Sequence, residues 1–156
     1  MLAIVEFLEI IKNELIVVGM AALPIVELRG AIPVGMALGM GPWHAFILAY
    51  IGSMLPIPLL LFFLKPIIAY LKTTKLLHWF AVWLEKRTLK KGNAIKKLSL
   101  VGLIIFVGVP IPTTGVWTGS GISALLDLKP SHSFLAIAVG NLIAGLIVMT
   151  FSNFFF

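Results

Sequence analysis

The stretch Leu23-Pro24-Ile25-Val26-Glu27-Leu28-Arg29-Gly30-Ala31-Ile32-Pro33 lies inside an otherwise apolar run from about Leu15 to Met40. An acid, a base, two prolines and a glycine interrupt a segment whose hydropathy would otherwise carry it across a bilayer. A charge at the bilayer centre costs about 2.5–3.5 kcal/mol on insertion scales, so such residues persist where protein buries them or where they line a wet cavity. Pro24 removes a backbone donor and restricts Leu23. Irregular backbone at membrane depth is sustained only where protein or water satisfies its polar groups. The stretch therefore reads as a broken, re-entrant element that carries function at its tip.

The rest of the chain fits a lipid setting. Its 156 residues are 60% hydrophobic, with a mean hydropathy of +1.11. A soluble domain of this length needs far more polar surface, so residues 1–156 read as a single integral membrane domain. Cysteine is absent, which excludes disulfides and thiolate metal sites. The formal charge is +6, and nine of the twelve Lys and Arg fall between Lys65 and Lys97, where Glu85 is the one acid. Charge confined to one segment suits membrane phosphates better than nucleic acid. The first twenty residues lack a basic leader and are interrupted by Glu6 and Glu9, which argues against a cleaved signal peptide. There is no glycine-rich Lys-Ser/Thr loop for ATP.

Taken in order, Met1 to Glu14 is an amphipathic start, with Glu6, Glu9, Lys12 and Glu14 among apolar residues. It either lies in the interface or begins the first intramembrane helix. After the break, Val34 to Met40 resumes a helical pattern with Gly35 and Gly39 spaced for close helix contact. Trp43 to Leu64 carries no formal charge over 22 residues, enough to span. Pro56 and Pro58 predict a kink. The basic segment 65–97 is cytoplasmic by the positive-inside rule. Its Leu76, Leu77, Trp79, Phe80, Trp83 and Leu84 predict an amphipathic helix lying on the inner leaflet, a solvated loop being the alternative. A second break follows the apolar Leu98 to Val109, in Pro110-Ile111-Pro112-Thr113-Thr114-Gly115-Val116-Trp117-Thr118-Gly119. Ser131 to Phe151 is the second full span.

An offset of 88 residues places Pro24 on Pro112, Pro42 on Pro130, His44 on His132, Gly52 on Gly140 and Ser53 on Asn141. The order of parts repeats too: an apolar half, a Pro/Gly break, another half, a Pro turn and a full span. Repeats with broken helices are a transporter plan whose sites lie where the breaks meet. If each broken element leaves by the side it entered, the two repeats are inverted. If each spans, there are four crossings and the repeats are parallel. Leu15–Leu23 and Val34–Met40 are each about half a membrane thick at 1.5 Å per residue, which favours inversion. The expected fold is thus an all-α integral membrane protein. Two inverted repeats, about 15–64 and 98–152, each combine a re-entrant hairpin with a transmembrane helix, and the basic segment 65–97 joins them.

Glu27-Leu28-Arg29-Gly30-Ala31-Ile32-Pro33, together with the break from Pro110 to Gly119, resembles the small multidrug export protein family, over almost the whole chain. More distantly, the acid, glycine and proline of the first break and the overall layout resemble the DedA/VTT membrane proteins. The resemblance implies two inverted re-entrant loops meeting near mid-membrane. It also implies movement of amphipathic molecules or lipids, for DedA relatives including polyprenyl-phosphate carriers. The second break departs from the DedA pattern, in which arginines stand near the proline. It has Thr113, Thr114 and Trp117, leaving Arg29 as the one arginine in either break, which weakens the case for a phosphate substrate.

The residues sort accordingly. Glu27 and Arg29, two apart, share a side in irregular backbone. They form either a structural ion pair or a working pair, with Glu27 carrying a proton and the Arg29 fork meeting an anionic headgroup. Pro33 and Pro112 shape the breaks. Thr113, Thr114 and Gly115 open a half-helix whose amides attract anions or are capped by the hydroxyls. Trp117 lines the cavity or packs. Asp127 reads as an interfacial turn residue or a proton relay, and Asn141 as helix-packing glue or a cavity residue. His44 and His132 at the Pro turns read as structural. No metal-ligand spacing, cofactor motif or nucleophile–base pair stands out, so the expectation is not an enzyme. The favoured function is a secondary transporter or flippase of amphipathic small molecules or lipid carriers, lipid phosphates among them, with Glu27 as the candidate for proton coupling, in the cell membrane as a homodimer. The alternative is a non-transporting assembly or lipid-organising protein with a structural charge pair.

Overall fold

The computed structural model describes residues 2–73, 92–111 and 114–155. Seven helices account for nearly all of them, and no strand occurs among the described residues. They are α1 (Leu2–Ala22), α2 (Glu27–Ala37), α3 (Pro42–Met54), α4 (Pro56–Lys72), α5 (Gly92–Gly108), α6 (Val116–Leu125) and α7 (Pro130–Phe155). Helix α1 is continuous through Glu6, Glu9 and Glu14, so the amphipathic start and the first apolar half are one element. Nothing between Leu2 and Ala22 breaks a helix, and Pro24 with its restricted predecessor ends it. Leu55, between α3 and α4, keeps right-handed helical angles of −56° and −45°. The axis therefore carries on past Pro56 and Pro58, and through Pro66 to Lys72, beyond the expected end at Leu64. Helices thus enter the expected basic connection from both ends. The interfacial helix expected around Leu76–Leu84 lies outside the described residues.

Two helical stretches are long and apolar enough to cross a membrane: Pro42–Ile67 and Pro130–Phe155, each of 26 residues with mean hydropathy 2.2 and 2.3. Only 28% and 39% of their most apolar windows are buried, so most of their surface is left for lipid. Helix α1 runs parallel to α3: Glu14 Oε1 lies 2.9 Å from His44 Nε2 near the start of α3, and Gly52 lets α3 touch the Val18 backbone further along. Helix α5 runs likewise beside α7, where a Cβ on Gly140 would stand 2.7 Å from the Ile104 carbonyl. Glycines here permit backbone approach that any side chain would block.

Local structure recurs at the 88-residue offset. Helix α2 ends with Leu38 N bonded to Val34 O and Met40 N to Gly35 O, and α6 ends with Leu126 N bonded to Ile122 O and Leu128 N to Ser123 O. The cap angles agree, −79° and 5° at Leu38 against −82° and 2° at Leu126. The next residue is left-handed in both, Gly39 at φ 87° and Asp127 at φ 50°, which is the usual way to close a helix C-terminus.

The core is likewise shared in two halves. One cluster joins Val17, Ala21, Leu28, Ala31, Ile32, Phe46 and Ala49 to Met149 of α7. The other joins Leu103, Val107, Val116, Leu128, Ala136 and Ile137 to Ile57 and Leu61 of α4. The early part of the first span therefore packs on the late part of the second, and the reverse. A Cβ on Gly145 would reach within 2.6 Å of Phe46 Cε2, and Lys65 pairs with Asp127 at 2.9 Å just before α7 begins. The two spans run antiparallel. Between the clusters, offset-related residues meet each other: Tyr50 donates to Ala138 O at 3.1 Å, and Asn141 Nδ2 donates to Ser53 Oγ at 2.7 Å.

Candidate functional site: the two breaks

Each break leaves a helix end without its backbone partners. The last carbonyls of α1 and α5 and the first amides of α2 and α6 have no continuing helix to bond. Local bonds such as Leu23 N to Met20 O, Glu27 N to Leu23 O and Val109 N to Ile105 O replace part of it, while Pro24 and Pro110 bring no N–H. The fold answers by setting the breaks side by side.

Arg29, in the first turn of α2, reaches into the second break. Its Nη2 donates to the carbonyls of Val107 at 2.9 Å, Val109 at 3.2 Å and Thr114 at 3.2 Å, and approaches Thr114 Oγ1 at 3.3 Å. Its Nη1 donates to Glu27 Oε2 at 2.9 Å. The cation thus sits at the C-terminus of α5, where the helix dipole favours it. Glu27 faces the other end of the gap. Its Oε1 accepts from the backbone N–H of Trp117 in the first turn of α6, at 3.5 Å, where a negative charge is favoured. Thr114 Oγ1 donates within its own break, toward Val109 O at 2.7 Å and Ile111 O at 2.9 Å. One charge pair from the first repeat therefore satisfies both helix ends of the second.

The return contact comes from Trp117, whose indole N–H donates to Ala22 O at the end of α1, at 3.2 Å. Trp117 stands 88 residues after Arg29, and Gly115 stands 88 after Glu27. The second correspondence is steric: a Cβ on Gly115 would overlap the Glu27 carboxylate. Gly115 has extended backbone at φ −84° and ψ −166°, so it is glycine because the carboxylate occupies the room a side chain would need. Glu27 is 6% exposed and sits at φ 51°. A left-handed non-glycine residue costs roughly 1–2 kcal/mol. Strain of this kind persists where surrounding contacts over-determine it, and it clusters at functional sites. Arg29 Nε is buried with no partner.

A cavity of about 310 Å³ adjoins the pair, lined by Pro24, Ile25, Val26, Glu27, Arg29, Gly30 and Pro110. Its size is at the lower end for small-molecule sites, and its walls join apolar surface to a few convergent polar groups. Of the residues expected at the site, Glu27, Arg29, Thr114, Gly115 and Trp117 come together. Pro33 lies one turn further along α2 and does not line the cavity. Pro112 and Thr113 lie outside the described residues. Asp127 stands apart on an exposed turn, paired with Lys65. Asn141 sits between the spans on Ser53, its Oδ1 unpartnered. Ala22, Val107 and Val109 take part through carbonyls that no side-chain pattern announces. The 88-residue pairing of Glu27 with Gly115 was the available signal.

The match to a family model described as "Putative small multi-drug export protein" runs over residues 27–147 and begins at Glu27 itself. The chain belongs to this small multi-drug export protein family. Neither the curated proteins nor the solved structures gave a match. With two apolar helices of spanning length, this family member is a membrane protein. Its matched region begins just after the first break and takes in Glu27, Arg29, the second break and most of the second span, so the charge pair and the residues it caps lie inside the family's extent. Among the described residues, no three His, Asp or Glu side chains gather as a metal site.

Proposed function

We propose that the protein is a secondary transporter or flippase for amphipathic small molecules or lipid carriers, built from two inverted re-entrant hairpins whose tips meet near mid-membrane. One observation carries the reading: both breaks share a single polar cluster, and a cavity of about 310 Å³ opens against its charged pair. The antiparallel spans and the recurring caps at the 88-residue offset support inversion. Alternating access in such folds is largely the rocking of one repeat against the other around a fixed site. Here one of the bonds that join the two repeats, from Trp117 N to Glu27, is already long at 3.5 Å. Glu27 is the group that exchanges a proton. Arg29 holds the second break together, because both of its Nη atoms are engaged by protein.

That engagement also favours a second reading, in which the pair is structural and the protein organises lipid or an assembly without transport. The two readings part on Glu27→Gln, which keeps the side chain's size and one acceptor oxygen, for Arg29 or for the Trp117 amide, but cannot titrate. Purified protein in liposomes, assayed with a fluorescent amphiphile and a labelled lipid under a pH gradient, should lose pH-dependent flux in this variant while the protein stays folded by circular dichroism. Flux that survives unchanged refutes the proton role, and flux absent in the parent protein refutes transport of those probes. Topology has its own test. Single cysteines at Asp127 and Asn153 should label from opposite sides, Asp127 from the side of the basic segment, which we assign to the cytoplasm by charge bias.

A further inference from the structure

The four residues Leu23–Val26 join α1 to α2, and three of them, Pro24, Ile25 and Val26, line the cavity as its apolar wall on that side. Both flanks of this connection are held by one residue of the other repeat. The Trp117 indole N–H binds the carbonyl of Ala22, just before the connection, and the Trp117 backbone N–H binds the carboxylate of Glu27, just after it. Arg29 does the corresponding work in reverse, gripping Val107 before the second connection and Val109 and Thr114 within it. The grips differ in kind. Arg29 brings a permanent charge and several acceptors. Trp117 brings two neutral donors to two separate acceptors, one of which can be titrated.

We propose that Trp117 is a positioning residue for transport, clamping the two flanks of the cavity wall so that a change at the Glu27 carboxylate frees the Leu23–Val26 connection to move. The inference rests on the transport reading above. Its physical basis is the unequal strength of the two bonds. An anionic carboxylate at the first turn of α6 is held by the dipole and by a long amide contact of 3.5 Å. A carboxylate that is protonated, or drawn toward a bound ligand, offers the amide less. The indole bond alone then holds the connection, and the ring can turn with the released backbone. Arg29, on the same helix, is the charged group facing Glu27. The segments of α1, α5 and α6 packed against it present Ala22, Val107, Val109, Thr114, Gly115 and Trp117, none of which ionises. The remaining pair on α1 and α3, Glu14 with His44, lies two turns back along α1 from Ala22.

The test uses the full chain in liposomes with Trp43, Trp79 and Trp83 replaced by Phe, so that Trp117 is the sole tryptophan. Its emission should change as pH is lowered through the carboxylate range and on adding a long-chain amphiphile. Glu27→Gln should abolish the pH response. Where the triple replacement does not fold, 5-fluorotryptophan in the native chain gives the same readout, Trp117 being assigned by the resonance lost in Trp117→Phe. That variant keeps a six-membered aromatic ring, loses the indole donor, and should slow amphiphile flux about tenfold, the effect of one lost buried hydrogen bond of about 1.4 kcal/mol. A pH-invariant Trp117 signal alongside intact transport overturns the coupling and leaves the transport reading standing. A titrating signal without flux of any probe overturns the transport reading and leaves the coupling between Glu27 and Trp117 standing.

Discussion

Replacing Gly115 by alanine isolates the contact that seats the charge pair. The backbone at Gly115 is extended, so alanine fits its angles without strain, and the whole effect is steric. The new methyl would occupy the volume of the Glu27 carboxylate, which must then leave Arg29, the Trp117 amide, or both. Breaking a buried pair outright costs about 3–5 kcal/mol. Here Arg29 keeps its three carbonyls, and the carboxylate can rotate to keep part of its contact, so the expected loss is about 2–4 kcal/mol. For a chain of this length that is a fall of about 5–15 °C in the melting midpoint, read by intrinsic tryptophan fluorescence on detergent-purified protein. Gly19→Ala and Gly121→Ala are matched controls, since a Cβ at either position meets nothing within 4 Å. Each removes a glycine from a helix and should gain about 0.5–1 kcal/mol. Adding Glu27→Ala to Gly115→Ala removes the overlap, so the double variant should melt higher than the sum of the single losses. A Gly115→Ala midpoint within about 2 °C of the parent, or strict additivity with Glu27→Ala, would refute the packing argument.

Arg29→Lys keeps the charge but cannot serve Glu27 and the end of α5 at once, and should cost about 1.5–3 kcal/mol by the same melt. Gly52→Ala and Gly140→Ala press a methyl into the backbone of α1 and α5 respectively, so each should destabilise by about 1–3 kcal/mol. Similar losses at these two positions would mirror the 88-residue correspondence. Asp127→Gly relieves a left-handed non-glycine residue, worth about 1 kcal/mol, and gives up an exposed pair with Lys65 worth about 0–1 kcal/mol. Its melting midpoint should equal or exceed that of the parent.

Much of this plan is written locally. Pro24, Pro110 and the charges of the first break mark where helices end, and the spans follow from uninterrupted apolar length. The repeat was legible as an offset of 88 because prolines and glycines at turns must recur if the turns do. The actual extent of α1 was less legible. Its acids at Glu6, Glu9 and Glu14 mark an amphipathic pattern but do nothing to stop a helix, so the element runs back to Leu2. Pro66 similarly costs α4 one bond without ending it. The destination of the Arg29 fork could not be read from the sequence at all. Its acceptors are main-chain carbonyls about 80 residues away, which carry no side-chain signature.

The reciprocal capping has a consequence for how the chain is made. Arg29 and Glu27 leave the ribosome 88 residues before Trp117 and Gly115. At about 5–20 residues per second, the interval is about 4–18 s. Through that interval Arg29 and Glu27 have each other but not the helix ends of the second repeat, and the carbonyl of Ala22 lacks its indole donor, so the first break is complete only once the second has been made.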